Sequence, residues 1–282
     1  MNCFMKKIVS VLLMFGLSIY FVSGCNGQEN ASANNNENTI AIPKISAVEE
    51  MENYVNDAKQ YRVTYEDGAK MAFRVLNNNH VMVCSNITPN KDYNPDFQPE
   101  SLMSFNDYHG ELAIPESVTI NGKEYTVTTI ERGAFWDTDL TSVIIPKTII
   151  TMDAGAFMHS FDEWPGFGTE SAPLEKITVL EGNPRFDSRG NCNAVIETVS
   201  NTLIVGCKNT VIPNGVKRIA AWAFSNCDIV SLTIPASVDE IGHRAFYSCY
   251  NLTSVTIQNP YLRYDFEDIF YEGNPRIIQS SY

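Results

Sequence analysis

Leu140-Thr141-Ser142-Val143-Ile144-Ile145-Pro146 recurs along the chain as Ile229-Val230-Ser231-Leu232-Thr233-Ile234-Pro235, and again as Leu252-Thr253-Ser254-Val255-Thr256-Ile257. A degenerate copy is Leu174-Glu175-Lys176-Ile177-Thr178-Val179. A second mark travels with the first, in the pairs Ala134-Phe135, Ala156-Phe157, Ala223-Phe224 and Ala245-Phe246. Phe135 to Phe157, Phe224 to Phe246 and Pro213 to Pro235 are steps of 22, and Ile234 to Ile257 is a step of 23. Self-similarity at this period marks stacked coils, since one coil cannot bury its apolar side alone.

The physics of one coil is legible. In Leu-x-x-Val-x-Ile-Pro the Leu, Val and Ile point inward from a short strand, and Pro ends it because it donates nothing to a ladder. Ile219 or Ile241 starts the return side. Ala-Phe then fills the interior, the small Ala letting the backbone approach while the ring sits between rungs. Coils stacked at about 4.8 Å in five or six rungs make an arc of about 25–30 Å.

The pattern resembles the BspA-like leucine-rich-repeat family of bacterial surface lipoproteins. The carrying residues are Ile114-Pro115, Ile145-Pro146, Ile212-Pro213 and Ile234-Pro235 with the four Ala-Phe pairs. Residues 186–197 and 204–210 also look typical of it, and the resemblance covers about 112–260. It implies an α/β leucine-rich-repeat solenoid, one short parallel strand per repeat, and a role in adhesion or macromolecular recognition. It carries over no catalytic motif. Two departures stand out: residues 159–173 are an insertion, and Ile269-Phe270 replaces Ala-Phe in a degraded last repeat. Tyr261, Tyr264, Phe266 and Tyr271 are expected to cover that end.

Upstream, Lys6 and Lys7 precede a 15-residue apolar run at 8–22, short of the roughly 20 residues of a membrane span. Val22-Ser23-Gly24-Cys25 follows, small residues before a Cys as in a bacterial lipobox. Residues 1–24 are therefore expected to be a lipoprotein signal peptide and Cys25 the lipidated residue, with 25–39, nearly devoid of apolar side chains, as a tether. The region 40–111 is expected to be a small α+β cap before the solenoid at 112–282. Ser46-Ala47-Val48-Glu49 matches a capping box, and Val48, Met51, Val55 and Ala58 space a helical stripe, predicting a helix over 47–60. Residues 71–76 and 81–84 around Asn77-Asn78-Asn79 predict a hairpin, and 118–127 around Asn121-Gly122 a second. Between them 86–110 reads as a polar loop; its Asp92, Asn94 and Asp96 alternate like Ca²⁺ ligands, but Phe97 and Met103 sit where an EF-hand needs Gly and Glu.

The 282 residues are 44% hydrophobic and 19% charged, enough to bury a real core. A net charge of −13 without a basic stripe argues against nucleic acid and anionic lipid. Cys227 and Cys249, 22 apart, occupy equivalent places in adjacent rungs and are expected as stacked buried thiols. Cys192 and Cys207 flank a hairpin around Val199-Ser200 whose paired positions sum to 399, so they face each other as a possible disulfide. No HExxH, GxSxG or P-loop occurs, and His80, His109, His159 and His243 share no ligand spacing. Asp162, Glu163 and Glu170 could approach one another on the insertion, but loop acids are an ordinary solvated surface. The chain is expected to be non-catalytic, without metal or cofactor.

Recognition is expected first on the insertion, where Phe161, Trp164 and Phe167 either stack on a ligand or fold over their own solenoid. Ser142, Thr178, Ser231, Thr233, Ser254 and Thr256 form a row of small hydroxyls on the outer strand face, a second platform. The expected partner is a host or bacterial surface protein, or alternatively a polysaccharide. The expected location is the cell envelope, at the outer membrane, with membrane contact through the N-terminal lipid alone and the surface or periplasmic face left open.

Overall fold

Period-two alternation organises the first part of the chain. The computed structural model describes residues 43–51, 58–84, 108–135, 138–157, 173–271 and 273–281. Strands β1 (Ile45–Met51), β2 (Gln60–Tyr65), β3 (Lys70–Val75) and β4 (His80–Cys84) form an antiparallel meander. Tyr61, Val63, Met71, Phe73, Val81 and Val83 are buried on one face. The hairpin at Asn77-Asn78-Asn79 forms as expected, with the Asn77 side chain accepting from the Asn79 and His80 N–H groups. The helix expected over 47–60 does not form in its described part. Residues 45–51 are β1, and the Ser46 hydroxyl donates to Thr64 O at 3.1 Å instead of capping a helix turn. A helix this short is marginal without packing, whereas β2 offers a continuous ladder. From Val48 to Met51 the register is regular, so a spacing of three puts the two on opposite faces: Val48 is half-buried against the first core, and Met51 is buried beside Ala72 and Cys84.

The meander joins the solenoid without a break. β4 runs parallel to β7 (Lys123–Ile130), which pairs with β6 (Ser117–Ile120) across Asn121-Gly122 and with β9 (Thr151–Met152). Asn121 at φ 51° and Gly122 at φ 78° supply the two positive dihedrals of the tight hairpin turn. Arg74 reaches across this seam to Glu131 at 2.7 Å. β5 (His109–Ala113), β8 (Asp139–Ile145) and β10 (Lys176–Val179) form a parallel three-stranded sheet on the strand side of the first coils.

The middle coils differ. β11 (Phe186–Asp187), β12 (Ala194–Glu197), β13 (Thr202–Gly206), β14 (Arg218–Ile219) and β16 (Glu240–Ile241) make one sheet, antiparallel through β12 and β13 and parallel beyond. β15 (Ser231–Ile234), β17 (Ser254–Ile257) and β18 (Arg276–Gln279) stack in parallel on the strand side of the last coils. Helix is almost absent. Among the described residues the α-helix is one four-residue turn, α1 (Phe266–Ile269), capped by Asp265. The return side of each coil consists of two-residue strands and turns, so the solenoid is built nearly all of sheet.

Each repeat element does the work its chemistry predicts. Leu140, Val143 and Ile145, then Leu232 and Ile234, then Leu252, Val255 and Ile257 are buried. After three of the four Ile-Pro marks the chain turns at once: Ile149, Val216 and Val238 N–H groups bond to the carbonyls of Pro146, Pro213 and Pro235, and all three side chains are buried. The Ala-Phe turns stack as a ring column. Phe135 and Phe157 lie 4.9 Å apart, Phe224 and Phe246 5.0 Å, and Phe246 and Phe270 5.2 Å. Phe270 thus takes the ring position of a full repeat despite the Ile269 before it. Gly206 stands under the Phe224 ring, where a β-carbon would come within 2.1 Å of it. Two large apolar cores result, one from Tyr61 to Cys207 and one from Cys192 to Phe270, beside a small cluster of Met51, Ala72 and Cys84.

Candidate functional site

Outward positions alternate with the buried ones along β15 and β17, and they are hydroxyls. Ser231 pairs in register with Ser254, and Thr233 with Thr256. Strands about 4.8 Å apart with outward residues about 7 Å apart along each place four hydroxyls on a small grid. None of the four hydroxyls has a hydrogen-bond partner among the described residues. The grid floors a groove of about 520 Å³ walled by Thr210, Val211, Asn214, Pro235 and Gln258. No Lys, Arg, Asp or Glu lines it. Val211 on the wall is 71% exposed.

The wall comes from the segment after β13, which takes a turn in place of a strand. Thr210 holds it: its hydroxyl donates to Asn193 O at 2.6 Å and accepts from the Cys207 N–H at 2.7 Å. Without a strand there, the row of parallel strands stops at β15 and leaves a step, which is what turns a flat face into a groove. The Ile212-Pro213 mark locates this coil in the sequence, but its missing strand is not visible in that mark.

The expected hydroxyl platform is therefore realised only in part. Ser231, Thr233, Ser254 and Thr256 come together. Thr178 instead lies beside Ile144, and the Ser142 hydroxyl is enclosed without a partner. Phe161, Trp164 and Phe167, with Asp162, Glu163 and Glu170, lie outside the described residues, as do Cys25 and the expected signal, tether and Asp92, Asn94 and Asp96. Of the expected end cover, Tyr264 and Phe266 pack on the second core, while Tyr261 is 70% exposed. The last coil is closed instead by β18.

The five described cysteines are free thiols. Cys227 and Cys249 are buried in adjacent rungs as expected, the Cys249 thiol donating to Phe224 O at 2.8 Å. The disulfide expected between Cys192 and Cys207 is absent: both are free and buried. The hairpin keeps the expected register at Glu197–Thr202 and Ile196–Leu203, but Ile204 is inserted as a bulge and Val195 pairs with Val205. Every pair beyond it slips by one. Cys207 Sγ consequently faces Asn193 O at 3.2 Å, and Cys192 Sγ faces Ala194 O. Burial pushes the thiols up, Cys207 to about 11 and Cys84 and Cys249 to about 12.

Nothing in the described residues assembles a reaction centre. His109 pairs with Asp139 at 3.0 Å and His243 with Asp268 at 2.5 Å, on separate coils. No group of three or more His, Cys, Asp or Glu side chains there could hold a metal. No described helix is long and apolar enough to cross a membrane.

Residues 111–162 and 198–278 match the BspA type leucine rich repeat region in six copies. These two stretches are BspA-type leucine-rich repeats, as the sequence resemblance implied. Solved structures with some likeness are leucine-rich-repeat proteins too. One from Eubacterium ventriosum is 21% identical at TM-score 0.38, over 53% of this chain and 36% of that one. One from Bacteroides ovatus is 20% identical at TM-score 0.33, over 79% and 44%. A leucine rich cell surface protein from Faecalibacterium prausnitzii is 19% identical at TM-score 0.31, over 71% and 56%. The chain thus spans 36% to 56% of the length of these proteins. No curated protein matches it. The repeats suggest a repeat-based recognition or surface role.

Proposed function

We propose that the chain is a non-catalytic recognition protein of the cell envelope, tethered through lipid on Cys25, whose C-terminal groove holds an extended, uncharged segment of a partner protein. The observation that carries this reading is the hydroxyl grid of Ser231, Thr233, Ser254 and Thr256, which has no hydrogen-bond partner among the described residues. Hydroxyls both donate and accept, so such a grid meets main-chain N–H and C=O groups of either polarity. The lining has no charge to neutralise, which favours an uncharged ligand. It also has no aromatic ring, which sugar rings stack on, so a polypeptide suits it better than a glycan. Val211 adds one apolar contact at the rim.

The test is selection of displayed peptides on the immobilised module, followed by titration of the selected peptide against Thr233→Lys and Thr256→Lys. Each places an ammonium in the groove on an outward position, so folding is unaffected and affinity falls at least about tenfold. Affinity unchanged in both variants would remove the groove from the reading. Protease accessibility of the module on intact and lysed cells tests the envelope location: digestion on intact cells puts it outside, and protection until lysis turns it inward.

A further inference from the structure

The turns that carry Ala-Phe display a second surface, away from the groove walls. Trp222 and Arg244 precede Ala223 and Ala245 in successive coils, where Gly133 precedes Ala134 in an earlier one. All three have positive φ, 63°, 49° and 67°. Glycine is at ease there; an arginine or a tryptophan is not, and each is held by its coil in a backbone conformation its side chain disfavours. The two side chains meet. The Arg244 guanidinium lies over Trp222 at 5.4 Å, Tyr247 at 5.3 Å and Tyr271 at 4.7 Å from the ring centres. Arg132, from an earlier coil, lies over the same Trp222 ring at 5.2 Å. Tyr247 and Tyr271 stack at 5.4 Å and 4°.

The result is a strip in which cations and rings alternate along the stacking direction of the coils. Neither the Arg132 nor the Arg244 guanidinium has a carboxylate or a hydrogen-bond partner among the described residues, in a chain of net charge −13. The neighbouring carboxylate, Asp268, is already engaged by His243. Rings fix the faces of both guanidiniums and leave their N–H edges unpaired. Such an edge is a planar fork that fits a planar carboxylate with two parallel bonds.

We propose that this strip docks a carboxylate-bearing polysaccharide, its uronate groups received by Arg132 and Arg244 and a sugar face resting on Tyr271, which is 40% exposed. The strip offers no backbone for a peptide to read. The N–H groups of Trp222, Phe224, Asn226 and Ser248 are spent on the carbonyls of His243, Ala245, Tyr247 and Tyr271 in the next coil. A saccharide needs only the side-chain edges and a ring face. The overall negative charge opposes a polyanion at long range, but beyond about 8 Å that repulsion is screened at physiological salt.

The experiment is titration of polygalacturonate, dextran, polyglutamate and a sulfated polysaccharide into the folded protein, read by tryptophan fluorescence and by calorimetry. Polygalacturonate binds best and dextran does not bind. Arg132→Gln, at an exposed site of ordinary backbone, weakens binding about tenfold. Arg244→Gly, which relieves the positive φ and so keeps the fold, does the same, while Arg218→Gln, at an exposed arginine already paired with Glu240, leaves it unchanged. Equal binding of polyglutamate would mean charge alone and overturn the proposal. So would a preference for the sulfated polymer, unaltered binding in both arginine variants, or no binding of polygalacturonate. The groove assay with peptides is separate, so either site can fail without the other.

Discussion

Phe246→Ala should be the most damaging single truncation in the C-terminal coils. Phe246 is fully buried and is flanked on both faces, by Phe224 at 5.0 Å and 13° and by Phe270 at 5.2 Å and 19°. Phe-to-Ala changes in cores cost about 3–5 kcal/mol, and each stacked aromatic pair is worth about 0.5–1.5 kcal/mol beyond area. Losing two pairs puts Phe246→Ala at the top of that range, about 4–5 kcal/mol. Phe157 stacks on Phe135 alone among the described rings and is 9% exposed, so Phe157→Ala should cost about 1 kcal/mol less. Urea unfolding at 25 °C, followed by circular dichroism, reads the difference. With a slope of about 2.5 kcal/mol per M the midpoint falls by about 1.5–2 M. Because Phe246 belongs to the second core, the coils from Cys192 onward should melt first, giving a two-step curve. A loss under about 2 kcal/mol, or one no larger than that of Phe157→Ala, would refute the ring column as the spine of these coils.

Three further outcomes follow from particular contacts. Gly206→Ala drives a β-carbon to 2.1 Å from the Phe224 ring, and Gly242→Ala one to 2.3 Å from the Ala221 backbone nitrogen. Thermal melts should show a loss of about 1–3 kcal/mol for the first, and more for the second because backbone cannot rotate away. Unfolded in urea without reductant, Cys84, Cys192, Cys207, Cys227 and Cys249 should all react with iodoacetamide by intact mass, whereas the folded protein should leave them unlabelled. Raised thiol pKa values mean that the folded state holds its protons longer than the unfolded one. Stability is therefore intact below the ordinary thiol value of 9.0 and falls as pH rises towards about 12, through Cys84 and Cys249. Each thiol adds a slope approaching about 1.4 kcal/mol per pH unit, and Cys249→Ala should flatten the decline between pH 9 and 10.

Repetition made the solenoid readable: Ile-Pro, Ala-Phe and the step of 22 each correspond to a turn, a ring column and a rung. Asn121-Gly122 was readable for the same local reason, since two residues there must take positive φ. What escaped depends on partners distant in sequence. The stripe at 48, 51, 55 and 58 has helical spacing, yet β2 recruits the first part of it as strand. The arithmetic that set Cys192 against Cys207 holds for two pairs and then meets the bulge at Ile204, which no local signal announces. The groove needs a missing strand at 210–212 beside two present ones, an absence that only the stack reveals. The alternation of Arg132, Trp222 and Arg244 was on the page as the residues flanking Ala-Phe, but their convergence requires coils far apart in sequence to lie close in space.

The central claim is that the hydroxyl grid between β15 and β17 is where a partner protein sits. A photo-crosslinking amino acid at position 256, irradiated with the protein in the cells that make it, tests it most directly, with the same residue at the 86% exposed Val199 as the comparison. The account predicts one discrete protein adduct from position 256, lost when Thr233→Lys is added, and none from position 199. Equal adducts from both positions, or an adduct at 256 that survives Thr233→Lys, would contradict it.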